Sequence, residues 1–376
     1  LRSYDVLDRP RLIVQPLGDS TRFDYGNVEF NGIRCAMETV TDALDHYKKS
    51  LKDERGHEVA RIDQGPQGEI TTRFERNGIG ELLRVVDHGQ NETTYGYDRL
   101  GRKLRYQHPD GGLTEFVYDK AGNLTRKLTA NLRAQYGDTS GAITYTYEYE
   151  RLRRIDYPSN FQNQVVYEYG PPDAPHNRAG RIWRQLDASG GQEYFYGRMG
   201  EVVKNIRTVV ISQAQIHTYV WQQRYDSWNR VQEMWYPDGE RVEYVYNRAG
   251  MLNRVFGEKL GHQYDIIKNI GYDEFEQRVM LKHGNDAVTH YAYESERRRL
   301  KNLKVQVPQG NRTVMNLSYT YDGVDNITDL VNDVQPDPAH FGGNMTSHFE
   351  YDELYRLTQA LGSYSGQLRT DAYTLN

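Results

Sequence analysis

Apolar and polar positions alternate with period two in short runs, and many of these runs end on a tyrosine followed by an aspartate. Tyr95-Gly96-Tyr97 and Phe116-Val117-Tyr118 show the alternation most plainly. It is the pattern of a strand with two unlike faces, and aromatic residues favour such half-buried pleated surfaces. Asp98 and Asp119 follow, each able to bond its own backbone two residues on and so begin a turn. Gly101 and Gly122 stand three residues after those aspartates, where a tight turn often needs positive φ. Arg102-Lys103-Leu104 opens a return strand, and His108-Pro109-Asp110-Gly111 supplies a second turn. One unit reads strand, turn, strand, turn. Units in series predict a long antiparallel sheet.

The unit recurs along the chain. Its best copies are Tyr225-Asp226, Tyr246-Asn247 with Gly250, Tyr272-Asp273, Tyr321-Asp322 and Tyr351-Asp352; Tyr149, Tyr169, Tyr196 and Tyr293 complete the series of anchors. Several copies lack the turn glycine, with Asn229, Gln277 or Tyr355 in the following positions. Tyrosine does not enter the left-handed region easily, so wider turns are expected there. Val40, Leu44, Tyr47 and Leu51 fall at helical spacing, but turn signals flank Tyr47 to Leu51 and the neighbours are repeats, which favours strands over 37–52. The stretch Leu132 to Asp138 reads as an extended hairpin or loop, and Pro171 to Pro175 as a bulge from a sheet edge. Residues 1–96 form a degenerate repeat region, continuous with the clear repeats of 97–376.

Composition narrows the function classes. The 376 residues carry 47 basic and 52 acidic side chains, a net charge of −5 that argues against a nucleic-acid binder. Mean hydropathy is −0.84, low for a thick apolar core. There are 31 tyrosines against 10 phenylalanines and 4 tryptophans. Tyrosine offers an apolar ring and a polar tip, so a sheet wetted on both faces could pack the rings across strands and point the hydroxyls at water. The single cysteine, Cys35, excludes an internal disulfide and reads as a small buried group. No apolar run approaches the roughly 20 residues of a membrane helix.

The pattern Tyr-Asp-x-x-Gly-Arg/Asn-Leu followed by Pro-Asp-Gly, repeated from Tyr97 to Leu357 and more loosely back to Tyr4, resembles the RHS/YD repeat. That family includes bacterial Rhs polymorphic toxins, the B and C components of insecticidal toxin complexes, and animal teneurins. The first ninety residues look most like the toxin-complex branch. The resemblance implies an all-β fold, a hairpin ribbon curling into part of a hollow shell, which in bacterial members encloses a C-terminal toxin domain. About 22 strands would have to curl, since open sheets rarely exceed about 10 strands flat. It also implies partners, namely the enclosed toxin domain and other shell or delivery components, and a secreted or cell-surface bacterial setting. Family shells end in a self-cleaving core with an Asp-Pro-x-Gly motif. Here Asp337-Pro338-Ala339-His340 lacks the glycine and precedes a further repeat at Tyr351, so no protease residue is carried over.

Other chemistry is thin. His57-Glu58 starts a zinc-protease pattern, but Arg61 stands where the second histidine belongs. Gly137-Asp138-Thr139-Ser140-Gly141 has the look of a serine-nucleophile loop without an assignable histidine, and reads as a connection. Arg297-Arg298-Arg299 with Lys301 and Lys304 reads as a solvated turn and return strand. Asn-x-Ser/Thr triplets begin at Asn91, Asn123, Asn311, Asn316, Asn326 and Asn344 and are read as unmodified. No catalytic, cofactor or metal residue is assigned. The expected role is structural: a containing wall. The alternative is a cell-surface carbohydrate- or protein-binding module without cargo, whose Trp183, Trp221, Trp228 and Trp235 could stack on sugars.

Overall fold

The computed structural model describes all residues except 159–160, 213, 309, 311, 336–342, 365–366 and 373–376. The described chain is an antiparallel meander belonging to one sheet. It divides into two compact units, Leu1–Asn91 with Ile267–Asn376, and Glu92–Ile266. Within each unit every strand pairs with its sequence neighbours, as Lys103–His108 does with Glu92–Tyr97 on one side and Gly112–Tyr118 on the other. The all-β hairpin ribbon expected from the repeats is what these residues form. The 37–52 ambiguity resolves as strands Ile33–Thr41 and Tyr47–Lys52.

Each anchor tyrosine sits beside a bulge. Tyr97 faces Lys103 while Gly96 faces Arg105, so Leu104 is the extra residue; Tyr118, Tyr225, Tyr246, Tyr272, Tyr321 and Tyr351 show the same shift. A bulge turns and twists the strand locally, and here it recurs at one place in every unit.

Because the strands alternate direction, all tyrosine-led turns of a unit lie on one edge. The Pro-Asp-Gly type lies on the other.

Three expectations change. Leu132 to Asp138 belongs to a helix, Ala130–Ser140, whose N-cap Thr129 accepts a hydrogen bond from the Leu132 amide at 3.3 Å. Gly137, at φ 81°, interrupts it, so the serine-loop pattern is the end of this helix. Thr129 before a run of good helix formers was the available signal. Second, Tyr149 is no anchor: strands Ile143–Glu148 and Arg151–Asp156 leave Tyr149-Glu150 as a two-residue turn, with Tyr149 at φ 56° and 88% exposed. Tyr147 takes the anchor's place, facing Leu152 across the bulge. Third, the copies without turn glycine keep tight turns. Asn229, Glu276 and Tyr355 take φ of 59°, 63° and 62°, and their amides still donate to the carbonyls of Asp226, Asp273 and Asp352 at 3.0, 3.2 and 2.9 Å. The turn after Tyr293 is the longer one, closed by Arg298 on Glu294.

Pro171 to Pro175 lies in the loop between strands Val165–Tyr169 and Ile182–Asp187, as expected. The buried clusters are small: Cys35, Leu51 and Ala60 pack with Val28, Phe30, Met37, Val59 and Ile62. Elsewhere rings cover rings across strands, Tyr95 to Tyr106 at 6.4 Å and Tyr106 to Phe116 at 6.1 Å. On the face opposite Tyr244, Glu233 accepts from Arg224 at 2.8 and 3.0 Å and from Arg241 at 2.7 Å.

Candidate functional site

The recurrent tyrosine-led turn is the chemistry-bearing feature of this chain, and the copy at Tyr225 shows how it works. Asp226 Oδ1 accepts from the Trp228 and Arg230 amides at 2.9 and 3.0 Å, and Oδ2 from Arg230 Nε at 2.8 Å. The Arg230 amide first, opposed by desolvation, then the Arg230 guanidinium and the Trp228 amide hold this carboxyl below its ordinary value. The guanidinium then leaves its own unit. It donates to the Gly250 carbonyl at 2.9 Å and lies 4.3 Å over the ring of Tyr246, the next anchor. Tyr246 answers: its hydroxyl donates back to the Val231 carbonyl at 2.8 Å. This turn is tied to the next by an arginine going forward and a tyrosine hydroxyl going back.

The other sequence-predicted positions occupy the same places. Asp98 binds Arg102 at 2.6 Å, Arg102 donates to the Asp119 carbonyl at 3.0 Å, and Tyr118 donates to the Lys103 carbonyl at 3.1 Å. Asn123 replaces arginine on Asp119, and Asn326 on Asp322, each amide donating to its carboxylate at 2.9 and 2.8 Å. Gln277 follows Asp273 and reaches the Arg298 carbonyl at 2.9 Å. Tyr225, Tyr321 and Tyr351 donate to the carbonyls of Val202, Leu300 and Ile327 at 3.2, 2.8 and 2.9 Å. Gly101, Gly122 and Gly250 supply the positive φ. Tyr97 and Tyr272 end their strands at the bulge. The hydroxyls of Tyr118, Tyr225, Tyr246, Tyr321 and Tyr351 therefore do not simply reach water; they bind backbone.

In the unit formed by Leu1–Asn91 and Ile267–Asn376, two such turns meet the opposite edge. Arg297, 10% exposed in its side chain, reaches Asp19 at 3.1 Å, Asp325 at 3.3 Å and the Gly323 carbonyl at 3.1 Å. A Cβ on Gly323 would stand 2.9 Å from Asp19 Oδ1 and 3.1 Å from the Ala43 Cβ. Tyr355 donates to Asp42, and its ring lies 5.5 Å from that of His46. Burial first, then the Asp42 carboxylate, push its phenol well up. The three arginines are therefore not a solvated turn as expected: besides Arg297 in the seam, Arg298 pairs with Asp273 at 3.0 Å and Arg299 with Glu294 at 2.7 Å along their own edge. The sequence shows Arg297 as part of a basic run and Tyr355 as a turn residue without glycine, but does not pair them with Asp19 and Asp42. The signals were Gly323, where other copies carry Arg99, Lys120 or Glu353, and Tyr355 at a left-handed position.

The remaining candidates are dispersed. Glu58 pairs with Arg61 at 3.1 Å on strand Glu58–Gly65. Among the described residues no group of three or more His, Cys, Asp or Glu could hold a metal, and no helix is long and apolar enough to cross a membrane. Asp337-Pro338-Ala339-His340 and Asn311 lie outside the described residues. Trp221 lines a cleft of about 430 Å³ with Tyr194, Gln192, Asn205, Arg207 and Gln223. Trp228 stands on a turn tip, and Trp183 and Trp235 lie in separate strands.

No family model matches the chain. It is 26% identical over 345 residues to toxin subunit YenC2 of Yersinia entomophaga, covering 78% of this chain and 35% of that protein. It is 32% identical over 127 residues to toxin subunit YenC1 of the same organism, covering 31% and 13%. The chain thus spans well under two thirds of the relatives it matches. The TcdB2-TccC3 crystal structure superposes with a TM-score of 0.82 at 22% identity, covering 96% of this chain and 20% of that one. The Photorhabdus luminescens Tc holotoxin pore, carrying a TccC3 substitution, gives 0.82 at 21%, covering 96% and 19%. The chain is thus similar in sequence to two toxin subunits and shares its ribbon fold with the TcdB2-TccC3 structure.

Proposed function

We propose that this chain is a stretch of the wall of a shell that encloses a toxin polypeptide and helps deliver it, acting structurally rather than as an enzyme. The observation that carries the reading is the linked turn ladder: Arg230 to Gly250 with Tyr246 back to Val231, and Arg102 to Asp119 with Tyr118 back to Lys103, the tyrosine link recurring at Tyr225, Tyr321 and Tyr351, makes a sheet stiff along the chain without a second layer over it. Small buried clusters leave both faces free to bound a compartment. The degenerate first 96 residues serve as more of the same wall. Its partners are the enclosed toxin domain, neighbouring shell segments and delivery components, in a secreted or cell-surface setting. The test is protease treatment of the assembled toxin. Cargo inside a wall is cut only after the wall is denatured; cargo cut at the same rate before and after denaturation overturns the reading.

A second reading has one observation behind it. Trp221 and Tyr194 flank amide and guanidinium donors, and the buried Asn205 Oδ1 lacks a partner. Such a cleft suits a neutral sugar, stacked on rings and hydrogen-bonded at its rim. Titration with cell-surface oligosaccharides that gives no heat, or the same heat with Trp221→Ala, removes it.

A further inference from the structure

Residues 98–102 close the turn after Tyr97, but the chain after Tyr169 takes residues 170–181 to return, and Gly170 stands where Asp98 does. The ladder between strands Ile182–Asp187 and Gly190–Tyr196 ends at the pair Arg184–Glu193. Beyond that pair the long turn takes the place of a strand. The His176 carbonyl accepts from the Tyr196 amide at 3.1 Å. The Asn177 side chain donates to the Tyr196 carbonyl at 3.0 Å, and Arg178 Nε to the Tyr194 carbonyl at 2.7 Å. The Arg178 guanidinium lies 3.9 Å from the centre of the Phe195 ring and 5.2 Å from that of Trp183, with Glu193 at 3.9 Å from Nη2. Two rings, a carboxylate and a strand edge that aligns a backbone are the parts of an arginine slot. The slot holds its present occupant poorly. Arg178 Nη2 is buried without a hydrogen bond. His176 and Asn177, two non-glycine residues in succession, stand at φ 59° and 53°. Of residues 171–181, all but Ala174 and Arg178 are exposed, so little buried surface opposes opening.

We propose that this slot is a strand-addition site for an extended, arginine-bearing segment of a partner protein, and that residues 171–181 are a strap that keeps it shut. The chemistry of the guest is read from the strap, which already occupies the slot with an arginine. An extended guest meets the same backbone groups of Tyr194 and Tyr196 without left-handed residues. Its guanidinium enters between Phe195 and Trp183 and turns both outer nitrogens onto Glu193, the pairing that Arg178 misses. Lysine brings the charge without the plane or the second nitrogen, so it is the poorer guest. Strap and guest exclude each other, and the guest binds in proportion to the time the strap is open. Whatever the wall encloses, the slot and its strap are the same.

A fluorescent peptide with the sequence of residues 171–181 tests this on the purified chain by anisotropy. It binds the Arg178→Ala chain at least about tenfold more tightly than wild type, because the variant's own strap no longer fills the slot. A peptide with alanine at the position of Arg178 binds that variant at least about tenfold more weakly, and adding Glu193→Gln to the variant weakens the original peptide in the same direction. Hydrogen exchange reads the strap without any substitution. In wild type the amides of residues 174–180 exchange at least about a hundredfold faster than those of strand Val165–Tyr169, by opening that leaves the sheet folded. In Arg178→Ala the Tyr196 amide also exchanges faster, while strand Gly112–Tyr118 is unchanged and reports that the variant is folded. A peptide that binds neither chain, or both alike, or equally well without its arginine, overturns the proposal. So do strap amides that exchange only when the whole sheet does.

Discussion

The turns at Asp226 and Asp352 have the same internal wiring and different surroundings. In both, the aspartate accepts from the amides two and four residues on and from an arginine Nε, at 2.9, 3.0 and 2.8 Å for Asp226 and 2.9, 2.9 and 2.7 Å for Asp352. In the first, Trp228 projects into solvent; in the second, Leu354 and Tyr355 rest against the opposite edge near Asp42. The local turn is therefore autonomous: it closes whether or not anything docks on it. What docking changes is the choice of side chain at the outer positions, glycine at 323 for clearance and tyrosine at 355 for reach. The repeat encodes the ribbon, and the departures from the repeat encode where ribbon meets ribbon.

Substitutions at the seam separate these layers most sharply. Arg297→Ala removes charged hydrogen bonds to Asp19 and the Gly323 carbonyl and the ion pair with Asp325, and lowers stability by about 2–3 kcal/mol. Gly323→Val forces the Ala43 and Asp19 contacts apart at a cost of about 1–3 kcal/mol. Arg99→Ala, on an undocked turn, stays within about 0.5 kcal/mol. Urea titrations measure all three; equal effects at 99 and 297 would erase the distinction between docked and free.

Tyrosine-to-phenylalanine changes probe the ladder beneath. Tyr246→Phe loses the hydroxyl bond to the Val231 carbonyl and lowers stability by about 1 kcal/mol. Tyr355→Phe loses a bond to a carboxylate, so its cost is larger, about 1.5–3 kcal/mol. A ladder whose hydroxyls merely met water would show no loss at Tyr246.

Acid gives a smaller, directional effect. Arg224, against desolvation and together with Arg241, lowers the Glu233 carboxyl from 4.5 to about 2. A depressed carboxyl contributes stability that is present above 4.5 and is lost as pH falls toward about 2. Wild type should lose stability over that window faster than Glu233→Gln, followed by thermal melts at matched ionic strength. Parallel slopes would show that the cluster does not favour the ionised form.

Smallest is the gain at Glu276, a non-glycine residue at φ 63° on an exposed turn. Glu276→Gly relieves left-handed strain and raises stability by at most about 1 kcal/mol, the added chain entropy of glycine offsetting part of it. A loss would mean that the Glu276 side chain holds the turn.

The ribbon was legible because its determinants are local. Period-two aromatics, an aspartate that caps its own turn and a glycine three residues later act within eight residues of chain, so Tyr97 to Leu104 could be read by eye. The anchor at 149 was misplaced because Tyr147 and Tyr149 both fit a period of two, and only the bulge opposite Leu152 separates them. The helix at 130–140 was hidden by its glycines at 137 and 141, which read as loop before Thr129 was weighed as a cap. The tight turn at Tyr355 is not legible from sequence because the left-handed cost is local and the Asp42 contact that offsets it is 313 residues away. Arg297 and Asp19 lie 278 residues apart, and nothing within one repeat announces their meeting.

The most direct measurement is a cryo-electron microscopy map of the whole assembled toxin particle containing this chain. The account predicts one uninterrupted hairpin ribbon bounding a lumen, with polypeptide density inside it that belongs to no ordered wall segment. A particle built of separate solid domains, with no lumen beside residues 92–266, would contradict it.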